Sequence, residues 1–145
     1  MTSKRFIVGF LVLVAAVAAF SIYLRRIVER TDTAVADVVS PDKNMKAVKL
    51  TLSGHGASPF CLDSISVMLT AYPDEFATSR KEYEVYSGPC GKFAGGAPSP
   101  TIEWRSPTEL RISYVDVPVA SSARKRVMKT IDVTKSVHVE FVASP

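Results

Sequence analysis

The chain has 145 residues, with 18 Lys and Arg against 14 Asp and Glu, two cysteines and nine prolines. An apolar run near the N-terminus cannot join a soluble core, so about 100 residues remain to fold, enough for one domain with one modest core. From Met45 onward 12 basic residues face 10 acidic ones, a balance too even for the basic stripe of a nucleic-acid binder, so no nucleic-acid partner is expected.

Residues 6–24 read FIVGFLVLVAAVAAFSIYL, with no charge and no proline. A helix of that length covers about 28 Å, close to the hydrocarbon thickness of a bilayer. Lys4 and Arg5 precede it, Arg25 and Arg26 follow it, and Tyr23 falls where an aromatic ring prefers the headgroup level. No polar stripe interrupts the run, which excludes an amphipathic helix lying on a soluble core. The rival is a cleaved export signal, with Ala16-Val17-Ala18 or Val17-Ala18-Ala19 as the small-residue site. The apolar run continues past those alanines to Leu24 and a double arginine, which favours an uncleaved anchor. The pattern divides the chain into an anchor (1–26), a juxtamembrane linker (27–44) and a folded domain (45–145). Basic residues nearly balance across the run, so they do not orient it.

Cys61 and Cys90 lie in turn-rich contexts, Ser58-Pro59-Phe60-Cys61 and Ser87-Gly88-Pro89-Cys90-Gly91. An even pair behind an export-type leader is expected to be a disulfide, which puts the domain on the extracytoplasmic face of the cell (inner) membrane. A reduced, buried pair is the alternative. No Cys-x-x-Cys motif is present, and His55 and His138 lack ligand spacing, so neither redox chemistry nor a metal is expected.

The segment 27–44 is polar with scattered Val and Ala and is expected to serve as a tether, ending in the turn signal Ser40-Pro41-Asp42-Lys43. Alternation then begins. Val48, Leu50 and Leu52 share one face of a strand; Ile65, Val67 and Leu69 are expected inward on the next. Tyr83–Tyr86, Thr101–Arg105 with Ile102 and Trp104, Glu109–Tyr114 with Leu110, Ile112 and Tyr114, Arg126–Asp132 and Val137–Val142 complete seven strands, the last two joined across Thr134-Lys135-Ser136. Asp74–Lys81 is the one place for a helical turn. The expected fold is mainly β: an N-terminal transmembrane helix, then a small antiparallel β-sheet or sandwich of about seven strands.

From Ser40 to Tyr114 the order of features is a Ser40-Pro41-Asp42 turn, a Lys-rich strand Lys46–Leu52, Cys61, the strand Ser64–Leu69, the Gly-rich stretch Gly91–Gly96, Ile102-Glu103-Trp104 and Leu110–Tyr114. This order resembles a family of small bacterial membrane-anchored domains with no assigned activity. The resemblance covers about half the chain and implies anchoring and fold, with no catalytic residues; Cys90 and Arg124–Arg126 fall outside it.

No catalytic, cofactor or metal residues are assigned. Gly91-Lys92 lacks the spacing of a phosphate loop, and Gly95-Gly96-Ala97-Pro98-Ser99-Pro100 reads as a linker. His55, between two glycines, reads as a turn residue, and no nucleophile elbow is visible. Arg124-Lys125-Arg126 is the densest charge cluster, a candidate contact for lipid headgroups or a polyanion, or else a solvated turn tip. Two functions follow as expectations. One is a single-pass anchored accessory or binding module that meets an envelope protein through a sheet edge or loop, with Ala15, Ala16, Ala18 and Ala19 available to a partner helix. The alternative is an extracytoplasmic ligand or polyanion sensor using the basic and Gly-rich loops.

Overall fold

The computed structural model describes residues 14–21, 23, 31–55, 59–117 and 126–144. Much of the expected anchor 6–24 lies outside these residues. Residues 14–21 and 23 are helical, and Val14, Val17, Phe20 and Tyr23 are all at least half exposed. Among the described residues no helix is long and apolar enough to cross a membrane.

The domain is mainly β, as its alternation predicts, with ten strands among the described residues rather than about seven. β1 (Thr31–Val39), β2 (Met45–Gly54), β3 (Phe60–Leu69), β4 (Glu84–Pro89) and β9 (Val127–Met128) form one sheet in the order β1-β2-β3-β4-β9. β7 (Thr101–Ser106), β8 (Glu109–Val115) and β10 (His138–Ser144) form a second, in the order β10-β8-β7. β5 (Gly91–Lys92) and β6 (Pro98–Ser99) make a small hairpin. The five-stranded sheet is antiparallel throughout, whereas β10 lies parallel to β8. The two strands before and after Thr134 therefore do not form one hairpin ladder: β9 joins the large sheet and β10 the small one, with a lone antiparallel bridge from Ile131 to His138. Asp132 holds that corner, its carboxylate accepting from the backbone N–H groups of Thr134, Ser136 and Val137.

Packing follows the parity of the strands, except at the register shift in β4, where the consecutive residues Val85 and Tyr86 both join the core. Met45 and Ala47 on β2, Ile65 and Val67 on β3, and Val85 and Tyr86 on β4 meet Leu110 and Ile112 on β8 and Val137 and Val139, with Ile102, Trp104, Tyr114 and Phe141 at the margin. Each fully buried Leu or Ile in this layer stabilises the fold by about 1.5–3 kcal/mol. The opposite face of the large sheet buries Val48 and Met68 against Ala77, Tyr72, Phe76 and Tyr83 of the β3–β4 connection. Its short helix, Phe76–Ser79, lies where a helical turn is expected. Lys46 ties the connection down by an ion pair to Asp74. The expectation that Leu69 faces inward is corrected: it is 38% exposed, while its neighbour Met68 is buried under the connection.

The linker expectation for 27–44 is also corrected over most of its length. Thr31–Val39 is β1, paired with β2 residue for residue from Thr31 opposite Gly54 to Val39 opposite Lys46. Ser40-Pro41-Asp42-Lys43-Asn44 is the turn between them. Ser40 Oγ donates to Asp42 Oδ1 (2.6 Å), Asn44 Nδ2 donates to Asp42 Oδ2 (2.6 Å), and the Ser40 N–H donates to the Met45 carbonyl. The Ser40 hydroxyl holds the Asp42 carboxyl below its usual value. Lys43 takes φ 62° at the tightest point of the turn.

Candidate functional site

Three places in the domain concentrate polar or exposed surface: the interior near Asp63, a cleft on the small sheet, and the outer edge of β1.

In the interior, Thr51 and Asp63 sit opposite one another on β2 and β3, on the face that looks toward the small sheet. The Thr51 hydroxyl donates to Asp63 Oδ1 (2.5 Å); Lys49 Nζ lies 3.8 Å from the same oxygen and donates to the Pro100 carbonyl at 2.9 Å. Burial pushes the Asp63 carboxyl up from its usual value, with the Thr51 hydrogen bond and the Lys49 charge opposing that rise. Beside it, burial also pushes the Tyr86 phenol up, and the Arg126 charge opposes this. Arg126 donates to Asp116 Oδ1 (2.5 Å) and to the Val117 carbonyl (3.3 Å), with its guanidinium 5.0 Å from the centre of the Tyr114 ring. The hydrogen bond to Asp116 holds that guanidinium charged. The two terminal nitrogens of Arg126 are thus engaged within the domain, while its Nε is buried without a hydrogen-bond partner.

The cleft, about 350 Å³ in volume, is lined by Arg105, Glu109, Leu110, Thr130, His138, Val139 and Glu140. Glu140 is already paired with Arg111 at 2.8 Å. Mixed signs along the rim give no preference for one charge of ligand. Among the described residues no group of three His, Cys, Asp or Glu could hold a metal ion.

The edge of β1 differs in kind. All nine of its residues are exposed, and β1 is the terminal strand of its sheet. Because the Ser40 N–H bonds to Met45 in register, the alternation of an antiparallel ladder turns the backbone groups of Val38, Ala36, Ala34 and Asp32 toward β2. Those of Thr31, Thr33, Val35, Asp37 and Val39 turn to the open side. Among the described residues no strand pairs with that side. Proteins usually guard such an edge with charged side chains, lysine above all, or with proline or a bulge; β1 has no lysine, proline or bulge, and its register is unbroken. Its charges are Asp32 and Asp37, and His55 Nε2 stands 3.2 Å from Asp32. Trp104 of β7 steadies the C-terminal end, its indole Nε1 donating to the Val38 carbonyl at 2.9 Å.

Cys61 and Cys90 form the expected disulfide, with Cα atoms 5.3 Å apart. It links the start of β3 to the end of β4, where the Cys90 N–H also donates to the Cys61 carbonyl. Gly91-Lys92 pairs with Pro98-Ser99, part of the stretch expected to be a linker, in the β5–β6 hairpin, closed by the Phe93 N–H to the Ala97 carbonyl at 2.9 Å. Of the basic cluster, Arg124 and Lys125 lie outside the described residues. Arg126 has its side chain only 16% exposed and its charge matched by Asp116. The sequence pattern missed β1 as a strand. The available signal was its content of Thr and Val, which favour extended backbone even where apolar and polar residues do not alternate.

No protein-family model matches the chain, and no curated protein or solved structure matches it.

Proposed function

We propose that this protein is a single-pass membrane-anchored binding module that receives a partner strand along the open edge of β1. The observation that carries this is the edge itself: nine exposed residues, paired on one side, with backbone donors and acceptors directed outward and no guarding lysine, proline or bulge. Strand addition draws its affinity from main-chain hydrogen bonds and its specificity from alternate side chains. Support for the anchor comes from the apolar run 6–24 and from the exposed Val14, Val17, Phe20 and Tyr23, which suit a hydrocarbon surrounding better than water. Support for an extracytoplasmic domain comes from the Cys61–Cys90 disulfide, a bond that persists in oxidising compartments. β1 follows the leader by only six residues, so the receiving edge is held close to the bilayer. A polyanion sensor draws less support, since Arg126 is engaged internally.

The test uses Val35→Pro in the full-length chain. Val35 directs its N–H away from β2, so proline there removes an outward donor while sparing the β1–β2 ladder. The variant is expected to keep its stability within about 1 kcal/mol and to lose the stoichiometric associate that the wild type retains in mild detergent. An associate held equally by both proteins overturns the edge as the contact surface.

A further inference from the structure

Resting on the edge reading above, we infer that the strand received by β1 is β1 of a second copy of the same chain, added antiparallel about a two-fold axis through Val35. The outward-directed residues Thr31, Thr33, Val35, Asp37 and Val39 are spaced symmetrically about Val35. A two-fold axis there sets Val35 against the second copy's Val35, Thr33 against Asp37, and Thr31 against Val39. Each of these positions then both donates and accepts a backbone hydrogen bond. This register uses all nine residues; any other two-fold register shortens the ladder.

The side chains fit the same arrangement. Val35, half exposed in one chain, gains an apolar neighbour in the other. The Thr33 hydroxyl comes beside the Asp37 carboxylate and can donate to it. Ala34 stands against Ala36, where small side chains allow close approach. Asp32 falls opposite Val38, and its charge already has His55 beside it. Like charges directly opposite each other destabilise a strand pair, and no Asp meets an Asp here. The registers that set Asp32 against Asp37 would match outward-directed backbone groups with inward-directed ones, so they form no ladder. The axes at Asp32 or at Asp37 would oppose two like charges and leave fewer paired residues.

Geometry with the leader is compatible. In the paired arrangement the two Thr31 residues lie about 27 Å apart along the strands. The six residues between Leu24 and Thr31 give each copy up to about 20 Å of reach. Two leaders can therefore enter one bilayer side by side, and confinement in that bilayer raises the effective concentration of one edge for the other.

The experiment places one cysteine at a time in the full-length chain, in membranes, and applies a short bifunctional thiol reagent. Cys61 and Cys90 are bonded to each other, so only the introduced thiol reacts. Val35→Cys is expected to give a covalent homodimer in high yield. Thr33→Cys alone is expected to give almost none, because the two copies of residue 33 lie about 14 Å apart. Co-expressed Thr33→Cys and Asp37→Cys chains are expected to restore the cross-link. Equal cross-linking at 33 and 35 overturns the register. No homodimer at 35, in a protein whose associate is still lost with Val35→Pro, overturns the second copy as partner and leaves the edge reading standing. No homodimer and no effect of Val35→Pro removes both.

Discussion

The Trp104 indole and the Val38 carbonyl, 2.9 Å apart, join the small sheet to the outermost strand of the large one. Trp104 pairs with Leu110 across β7 and β8, so its ring is positioned by the core while its N–H reaches the margin. Trp104→Phe keeps most of the apolar surface and removes the donor. The expected cost is about 1–2 kcal/mol in urea unfolding, with faster exchange of the Val38 amide, which faces β2. Unchanged exchange there would mean that β1 is held by its ladder with β2 alone.

Asp63 gives the domain a distinct pH signature. Its carboxyl is raised above the usual 3.8, chiefly by burial, so the folded state binds that proton more tightly than the unfolded one. The stabilisation from this group is full below pH 3.8 and is lost as pH rises through the folded value. Asp63→Asn removes the titration. The stability of wild type relative to Asp63→Asn is therefore expected to rise as pH falls from 7 toward 4, measured by urea unfolding at each pH. Lys49→Met, which strips the buried carboxylate of its cation, is expected to cost about 2–4 kcal/mol at pH 7.

The disulfide encloses a loop of sequence separation 29, worth about 3–4 kcal/mol on the chain-entropy model. Replacing Cys61 and Cys90 together by Ser is expected to lower the unfolding free energy by that amount while leaving the sheets in place. In intact cells neither thiol should take an impermeant maleimide until a reductant is added. Labelling only after the cells are lysed would place the domain on the cytoplasmic side.

How much of this was legible beforehand depends on which faces a strand buries. β7 and β8 carry apolar residues on one face, and Ile102, Trp104, Leu110 and Ile112 sit where alternation puts them. β3 buries both faces, so parity alone misassigned Leu69 and overlooked Met68. β2 misleads in another way: Val48 packs under the β3–β4 connection, while the core-facing positions include Lys49 and Thr51, polar residues made tolerable by Asp63 and the Pro100 carbonyl. β1 buries neither face and so lacks the periodic signal, leaving its Thr and Val content as the one trace of a strand in the sequence. The disulfide was legible from turn context and parity of cysteine number. The placement of Arg126 over Tyr114 was not, because the two residues meet only through tertiary packing.

If the open side of β1 is a contact surface, residue-resolved amide hydrogen exchange of the protein in membranes reads that contact amide by amide. The full-length protein is compared in dilute mild detergent and at high density in bilayers. Ala34 and Ala36, whose N–H groups face β2, are expected to exchange slowly in both. Thr33, Val35 and Asp37, whose N–H groups face outward, are expected to exchange rapidly in dilute detergent and at least tenfold more slowly in the bilayer. Equally rapid exchange of those three amides in both settings would contradict the account.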